Sequence, residues 1–304
     1  MSSAKNALFG GIEAGGTKFV CAIGDADGRV ILESRFSTRD PVATFRDVFD
    51  FFRAARAEHG ELEAYGIASF GPLNINPRSA GYGRVTSTPK PGWSDFDLRG
   101  VLVREFGKPV GIDTDVNAAG LAEARWGNGV GLPSLVYVTV GTGLGVGIIY
   151  QGQPLLGLTH PEMGHIHVRR HPRDLQFAGV CPFHGDCLEG LACGPAIVAR
   201  TGRSLAEASD ADEIWEIEAD YLGQLCAQLV STVSPHRILL GGGVMQQERL
   251  FGLMRARMRH WLGSYNVQPE IHEDGFLRAP GLGNQAGVKG ALALAMDAAS
   301  RGSQ

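Results

Sequence analysis

Short apolar runs bounded by glycine and proline dominate both halves of this chain. Such runs of four to eight residues read as buried strands. Leu8-Phe-Gly-Gly-Ile12 is a strand, Glu13-Ala-Gly15-Gly16-Thr17-Lys18 a glycine-rich turn, and Phe19-Val-Cys-Ala-Ile23 a second strand. Arg29 to Glu33 reads as a third. Phe45, Val48, Phe49 and Phe52 recur at helical spacing between Ala43 and His59. Ala64 to Phe70 is a buried strand ending in Gly71-Pro72, and a Pro- and Gly-rich loop runs on to about Trp93. The spacing then predicts a helix over Asp97 to Phe106, a strand over Pro109 to Asp113 and a helix over Val116 to Trp126.

The pattern then restarts. Leu135 to Val140 and Leu144 to Tyr150 are strands joined by the turn Gly141-Thr142-Gly143. Asp210-Ala-Asp-Glu213 has the spacing of a capping box and opens a long helix whose face carries Ile214, Ile217, Tyr221, Leu225 and Leu229. Arg237 to Leu240 is a strand ending in Gly241-Gly242-Gly243, and helices follow over about 246–262 and 284–298. Two strand–turn–strand units with Gly-Thr turns point to an internal duplication, hence two similar α/β domains.

Composition narrows the class. The chain has 304 residues, 44% hydrophobic and 20% charged, as in a globular protein of two ordinary domains. A formal charge of -4 argues against a nucleic-acid partner. No apolar run is long enough to cross a bilayer, and the first residues do not read as a signal peptide. Five cysteines, an odd count with two at metal spacing, point to a reduced, cytoplasmic setting. Cys21, Cys193 and Cys226 sit among apolar or small residues and read as buried structural thiols.

Three features carry candidate chemistry. The turns at Gly15-Gly16-Thr17 and Gly141-Thr142-Gly143 can present successive N–H groups to an anion, with Lys18 adding charge. Either could equally be an ordinary hairpin, but two matched turns plus Gly241-Gly242-Gly243 after a buried strand favour phosphate binding. Asp115 stands where a strand gives way to a helix, a position where ligands collect in α/β sheets. Its carboxylate could take the proton of an attacking hydroxyl or merely cap the helix. Asp113 and Asp115 compete for that cap. Finally, Cys181-Pro-Phe-His184-Gly-Asp-Cys187 offers three zinc-type donors, with His165 a candidate fourth. Four N/S ligands make a closed, structural site. Glu162 and Glu189 flank it and could bind a polar small molecule.

These motifs together resemble the ROK family of sugar kinases, in particular its bacterial fructokinase branch. The resemblance covers nearly the whole chain. It rests on Gly11-Ile-Glu13-Ala-Gly15-Gly16-Thr17-Lys18, Asp115-Val-Asn117-Ala-Ala, Gly141-Thr142-Gly143-Leu-Gly145, and Glu162-Met-Gly-His165 with the Cys/His cluster. The segments Ser69-Phe-Gly71-Pro72 and Thr86-Ser-Thr88-Pro-Lys90 resemble the fructokinase branch.

The resemblance implies an actin-like ATPase (ribonuclease-H-like) fold, two α/β domains around a cleft. A small N-terminal domain, 1–115 with the C-terminal helix at about 284–304, would face a larger domain, 116–283, with a zinc-binding loop. It implies phosphorylation of a hexose 6-hydroxyl, D-fructose first, by Mg-ATP, with Asp115 as base. Gly15, Gly16, Thr17, Lys18, Gly141, Thr142, Gly143, Gly242 and Gly243 would hold the nucleotide. Gly71, Pro72, Thr88, Thr114, Glu162, His165 and Glu189 would hold the sugar. His165, Cys181, His184 and Cys187 would hold zinc, and the protein would be a homodimer.

Three departures stand out. Glu13 replaces an Asp common in the family, so its metal or water contact would reach further. Thr114 stands where many members have Asn. Many members bind zinc through one His and three Cys, against two of each here, with His160, His167 and His171 as possible substitutes. The same resemblance admits glucose, mannose or N-acetylmannosamine as acceptor. A sugar-sensing regulator is the alternative outside enzymes. Such relatives carry an N-terminal helix-turn-helix domain, for which the ten or so residues before the first phosphate motif leave no room.

Overall fold

The computed structural model describes residues 7–88, 90–265 and 268–302. Pro89 of the quoted loop motif and the end of the expected C-terminal segment lie outside them. The chain divides into two compact units. The first comprises 1–127, 153–160 and 284–304, and the second 128–152 and 161–283.

In the first unit, β1 (Leu8–Ala14), β2 (Lys18–Asp25) and β3 (Val30–Ser37) form an antiparallel meander. β4 (Ala64–Ser69) and β5 (Val110–Thr114) add in parallel, giving the order β3-β2-β1-β4-β5. All six residues of β4 are buried, as expected of a central parallel strand. One face carries α1 (Pro41–His59) and α2 (Leu98–Phe106), whose apolar stripes meet the sheet through an aromatic cluster. Within it Tyr65 stacks on Phe106 at 4.7 Å, and Trp93 lies 5.4 Å from Phe19. The other face carries α3 (Asp115–Trp126) and the returning α8 (Ala286–Gly302). Gly66 makes this possible, because a Cβ there would collide with the Ala291 carbonyl.

The unit boundary therefore falls at Gly127/Asn128, not at the expected 115/116. Helix α3 stays with the first unit because it packs along α8 and is pinned there by Arg125 on Asp297 at 2.6 Å.

In the second unit, β6 (Ser134–Val140) and β7 (Leu144–Tyr150) form an antiparallel hairpin. The two-residue β8 (Gln153–Pro154) follows in sequence and belongs to the first unit. Helices α4 (Leu188–Ala192), α5 (Gly194–Thr201), α6 (Ile214–Thr232) and α7 (Glu248–Leu262) share one hydrophobic core with the second unit's strands. β9 (Ile238–Gly241) lies parallel to β6, and β10 (Leu277–Arg278) parallel to β9, so the unit's own strands run β10-β9-β6-β7. Each unit thus has a hairpin beside a parallel strand, the duplication expected from the two Gly-Thr turns.

One local expectation fails. The segment 210–213 makes no capping box: α6 begins without a side-chain cap. Asp210 is drawn instead to Arg249 at 2.6 Å, and Glu213 lies 3.5 Å from Arg173. A capping box occurs earlier, between Ser204 and Glu207.

A buried ion pair braces the second unit. Arg200 meets Asp174 at 2.8 and 3.0 Å and donates to the Leu191 carbonyl at 2.7 Å. The Tyr221 hydroxyl donates to the same carboxylate at 2.7 Å. These bonds tie the segment before the Cys/His loop to α4, α5 and α6.

Candidate active site

The strand-to-helix junction in the first unit separates capping from chemistry. Thr114 has extended backbone (φ -65, ψ 154), and its hydroxyl accepts the Asn117 amide at 3.2 Å. Thr114 is therefore the cap of α3, and neither aspartate is. Asp113 is buried and accepts from the Thr114 amide and the Asn117 side chain, each at 2.7 Å. Burial raises its pKa despite these bonds. Asp115 is the first helical residue and only half-buried, with its Oδ1 2.9 Å from the Val116 amide. A carboxylate in the first turn is also favoured by the helix dipole. Its cap role gone, Asp115 keeps a partly exposed carboxylate at the end of a parallel strand.

The first glycine turn leaves Ala14 and returns at Lys18. The Gly15 amide donates to the Lys18 carbonyl at 2.9 Å. Thr38 clamps the turn, its amide on the Thr17 carbonyl at 2.9 Å and its hydroxyl on the Gly15 carbonyl at 2.8 Å. Lys90, a residue not assigned a role from sequence, donates to the Gly16 carbonyl. Glu13 precedes the turn. Burial raises its pKa, Lys18 opposes that, and the charge of Asp115 adds to it. Gly71-Pro72 follows β4, and Thr86 donates to the Pro72 carbonyl through its amide at 2.9 Å. Thr88 is fastened to Ser94, with its carbonyl accepting the hydroxyl at 3.0 Å.

In the second unit the sequence-selected motifs gather. The Gly141 amide donates to the Gly143 carbonyl at 2.9 Å, and the Gly141 carbonyl accepts the Gly194 amide that opens α5 at 2.7 Å. A Cβ on Gly141 would lie 4.0 Å from the Gly243 amide, so the two glycine segments are neighbours. Gly242 has φ +95, a conformation side-chain-bearing residues rarely adopt. Glu189 accepts from the Leu144 amide at 2.9 Å, and a Cβ on Gly143 would meet the same oxygen at 2.7 Å. The Glu162–His165 turn closes with the His165 amide on the Glu162 carbonyl at 3.0 Å.

The donor atoms of His165, Cys181, His184 and Cys187 all lie within 4.8 Å of one another. Cys181 Sγ is 3.7 Å from Nδ1 of both His165 and His184, and Cys187 Sγ is 3.5 Å from His165 Nδ1. Tetrahedral zinc with bonds of about 2.0–2.3 Å sets ligands roughly 3.3–3.8 Å apart. Among the alternative histidines, His171 accepts the Arg173 amide at 3.3 Å, and His160 belongs to the first unit. His167 lies beside His184, ring centres 6.4 Å apart, without joining the donor set. The Cys181–Gly185 bridge, with amide bonds of 2.9 and 3.1 Å, folds the loop so that Cys181, His184 and Cys187 converge. Cys21, Cys193 and Cys226 are buried free thiols, and burial pushes Cys193 to about 11 and Cys226 to about 12.

The ROK family model matches residues 9–298, and the chain belongs to the ROK family. Within it, a fructokinase of Pediococcus pentosaceus is 42% identical over 291 residues, covering 96% of this chain and 98% of that protein. A solved ROK hexokinase from Thermus thermophilus superposes with TM-score 0.80 at 27% identity, covering 97% of this chain and 99% of that one. A ROK glucokinase from Streptomyces griseus, solved with glucose and AMPPNP, gives TM-score 0.72 at 26% identity over 96% of this chain and all of that one. The fold is therefore the actin-like ATPase fold of the ROK sugar kinases.

Proposed function

We propose that this chain is an ATP-dependent hexose kinase whose first acceptor is D-fructose and whose product is fructose 6-phosphate. The chemistry is carried by one observation above the rest. Asp115 stands at a strand end with its carboxylate relieved of the capping duty that Thr114 performs. The acceptor follows from the full-length likeness to a fructokinase.

Phosphoryl transfer needs positioning and charge stabilisation more than covalent chemistry. In this reading Asp115 orients the sugar 6-hydroxyl and accepts its proton as the oxygen attacks the γ-phosphorus of ATP. The bond from that phosphorus to the β,γ-bridging oxygen breaks, and ADP leaves. From the first unit, Gly15, Gly16, Thr17 and Lys18 serve the phosphates, and Gly71, Pro72, Thr88 and Thr114 serve the sugar. From the second, Gly141, Thr142, Gly143, Gly242 and Gly243 serve the nucleotide, and Glu162, His165 and Glu189 the sugar. Magnesium, when bound, would neutralise phosphate oxygens. Glu13, at the start of the phosphate turn, would hold it directly or through a water; burial raises the pKa of Glu13, and a neighbouring cation would favour its ionised form.

The reading also includes a structural zinc on His165, Cys181, His184 and Cys187, supported by the donor spacing. Four protein donors leave no open position for water, so the metal fastens the loop rather than reacting. A homodimer and a cytoplasmic setting complete it. The free thiols suit a reducing compartment.

A coupled ADP-release assay over fructose, glucose, mannose and N-acetylmannosamine tests the whole. Fructose should give the highest kcat/KM. A higher value for glucose would overturn the acceptor, and sugar binding without turnover on any of the four would overturn the kinase.

A further inference from the structure

The first glycine turn carries a cation that the proposed chemistry has not used. Lys90 comes from the loop between β4 and α2, 74 residues from the turn it touches. Its ammonium donates to the Gly16 carbonyl and lies 5.6 Å over the Phe70 ring. A Cβ on Gly16 would come within 2.9 Å of Lys90 Nζ, so the ammonium lies close against the turn.

The approach is built rather than accidental. Trp93 is 1% exposed, packs on Phe19, and donates its indole N–H to the Arg39 carbonyl at 2.9 Å. Ser94 and Thr88 fasten the loop on the other side of Lys90, and Thr88 Oγ1 lies 3.4 Å from the Lys90 amide. Phe70 is itself held, its amide on the Ala14 carbonyl at 2.9 Å, where β1 runs into the turn. A lysine ammonium has three protons and no acceptor of its own. The Gly16 carbonyl takes one, and the ring's negative face favours the cation without consuming a proton. Two protons and the charge are left against the turn that is read as a phosphate site.

We propose that Lys90 is a second cation of the phosphate turn, contacting the terminal phosphoryl group that ATP has and ADP lacks. This rests on the reading of Gly15–Lys18 as a phosphate turn. Lys90 would then place the acceptor loop bearing Gly71, Pro72 and Thr88 against the group being transferred, so one residue couples acceptor loop to donor phosphate.

The test compares Lys90→Met, Lys90→Arg and Thr17→Ala with the parent protein. Affinities for ADP and for a non-hydrolysable ATP analogue are measured with magnesium, together with kcat and the thermal midpoint. Lys90→Met should weaken the ATP analogue about ten- to a hundredfold, the span of a lost charge-assisted hydrogen bond. ADP affinity should change less than about threefold and the thermal midpoint should hold. Lys90→Arg should recover most of the discrimination, because the charge returns. Equal weakening of ADP and the ATP analogue by Lys90→Met, or a lowered midpoint with the two ligands still discriminated as in the parent, makes Lys90 a fastener of Gly16 and overturns the proposal. Thr17→Ala separates the two readings. If it weakens both ligands while Lys90→Met discriminates between none, only the role of Lys90 falls. If it leaves both affinities intact, the phosphate turn falls as well.

Discussion

One oxygen of Glu189 accepts the Leu144 amide at 2.9 Å while the other lies 4.0 Å from Nδ1 of His165. A single carboxylate therefore joins the end of a glycine turn to the Cys/His loop, across 45 residues of sequence. Two substitutions pull its roles apart. Glu189→Gln keeps a carbonyl oxygen for Leu144 but loses the charge, so sugar affinity should fall about tenfold while ATP affinity stays within about threefold. Glu189→Ala also frees the turn and should weaken both ligands. Glu162→Gln should behave as Glu189→Gln does. Separate titrations with sugar and nucleotide read this out, and equal losses for Glu189→Gln would remove it from the sugar site.

Asp115→Asn should lower kcat about 10²–10⁴-fold, the usual loss with a general base, while stability falls by no more than the helix-dipole contribution of about 0.3–1 kcal/mol. The loss stays small because the cap belongs to its neighbour Thr114. Thr114→Ala should lose about 1 kcal/mol of cap energy, and Thr114→Asn should retain it. Turnover above a tenth of the parent value in Asp115→Asn would mean that the carboxylate is no base.

Chemistry that depends on close spacing was open to reading from sequence. Cys181, His184 and Cys187 lie within seven residues, and a loop that short can turn them to one point. The glycine turns announced themselves because strands on both sides are short and apolar. What escaped depends on backbone angles and on distant partners. Which of Asp113, Thr114 and Asp115 caps α3 is decided by the extended conformation of Thr114, and all three residue types can cap. Lys90 reaches Gly16 only through the fold of a loop anchored by Trp93. The expected capping box at 210–213 failed because α6 starts only at Ile214, with Glu213 at the cap position, while the exposed Asp210 lies outside the helix and pairs with Arg249. The domain border moved for a like reason, since the contact of Arg125 with Asp297 spans 172 residues.

Zinc should be found at about one atom per chain, and Cys181→Ser should lose it. The loop then rests on the Cys181–Gly185 bridge and on the Leu188 amide to the Ile166 carbonyl at 2.8 Å. Metal binding is coupled to local folding, so a chelator should lower the thermal midpoint together with sugar affinity. Restored zinc should return both. Undiminished zinc in purified Cys181→Ser, measured by elemental analysis, would exclude Cys181 as a ligand.

Glu218 makes stability depend on pH. It is fully buried on α6, and neither carboxylate oxygen has a hydrogen-bond partner among the described residues. Burial raises its pKa well above 4.5. The charge of Arg200 opposes that rise and the charge of Asp174 adds to it. The neighbouring thiol of Cys193, on the turn between α4 and α5, also feels its charge. Below the unfolded-state pKa the carboxyl is neutral in both states, and its contribution to stability is fully present. As pH rises past that value the unfolded chain releases the proton while the folded chain still holds it. Stability is lost progressively until pH passes the folded-state pKa. Glu218→Gln removes the titration and keeps the shape. Its thermal midpoint relative to the parent should therefore climb from pH 5 to pH 8, whatever the offset at pH 5. A difference that stays flat across that range, or falls, would show that the folded protein holds Glu218 ionised, with Arg200 outweighing burial.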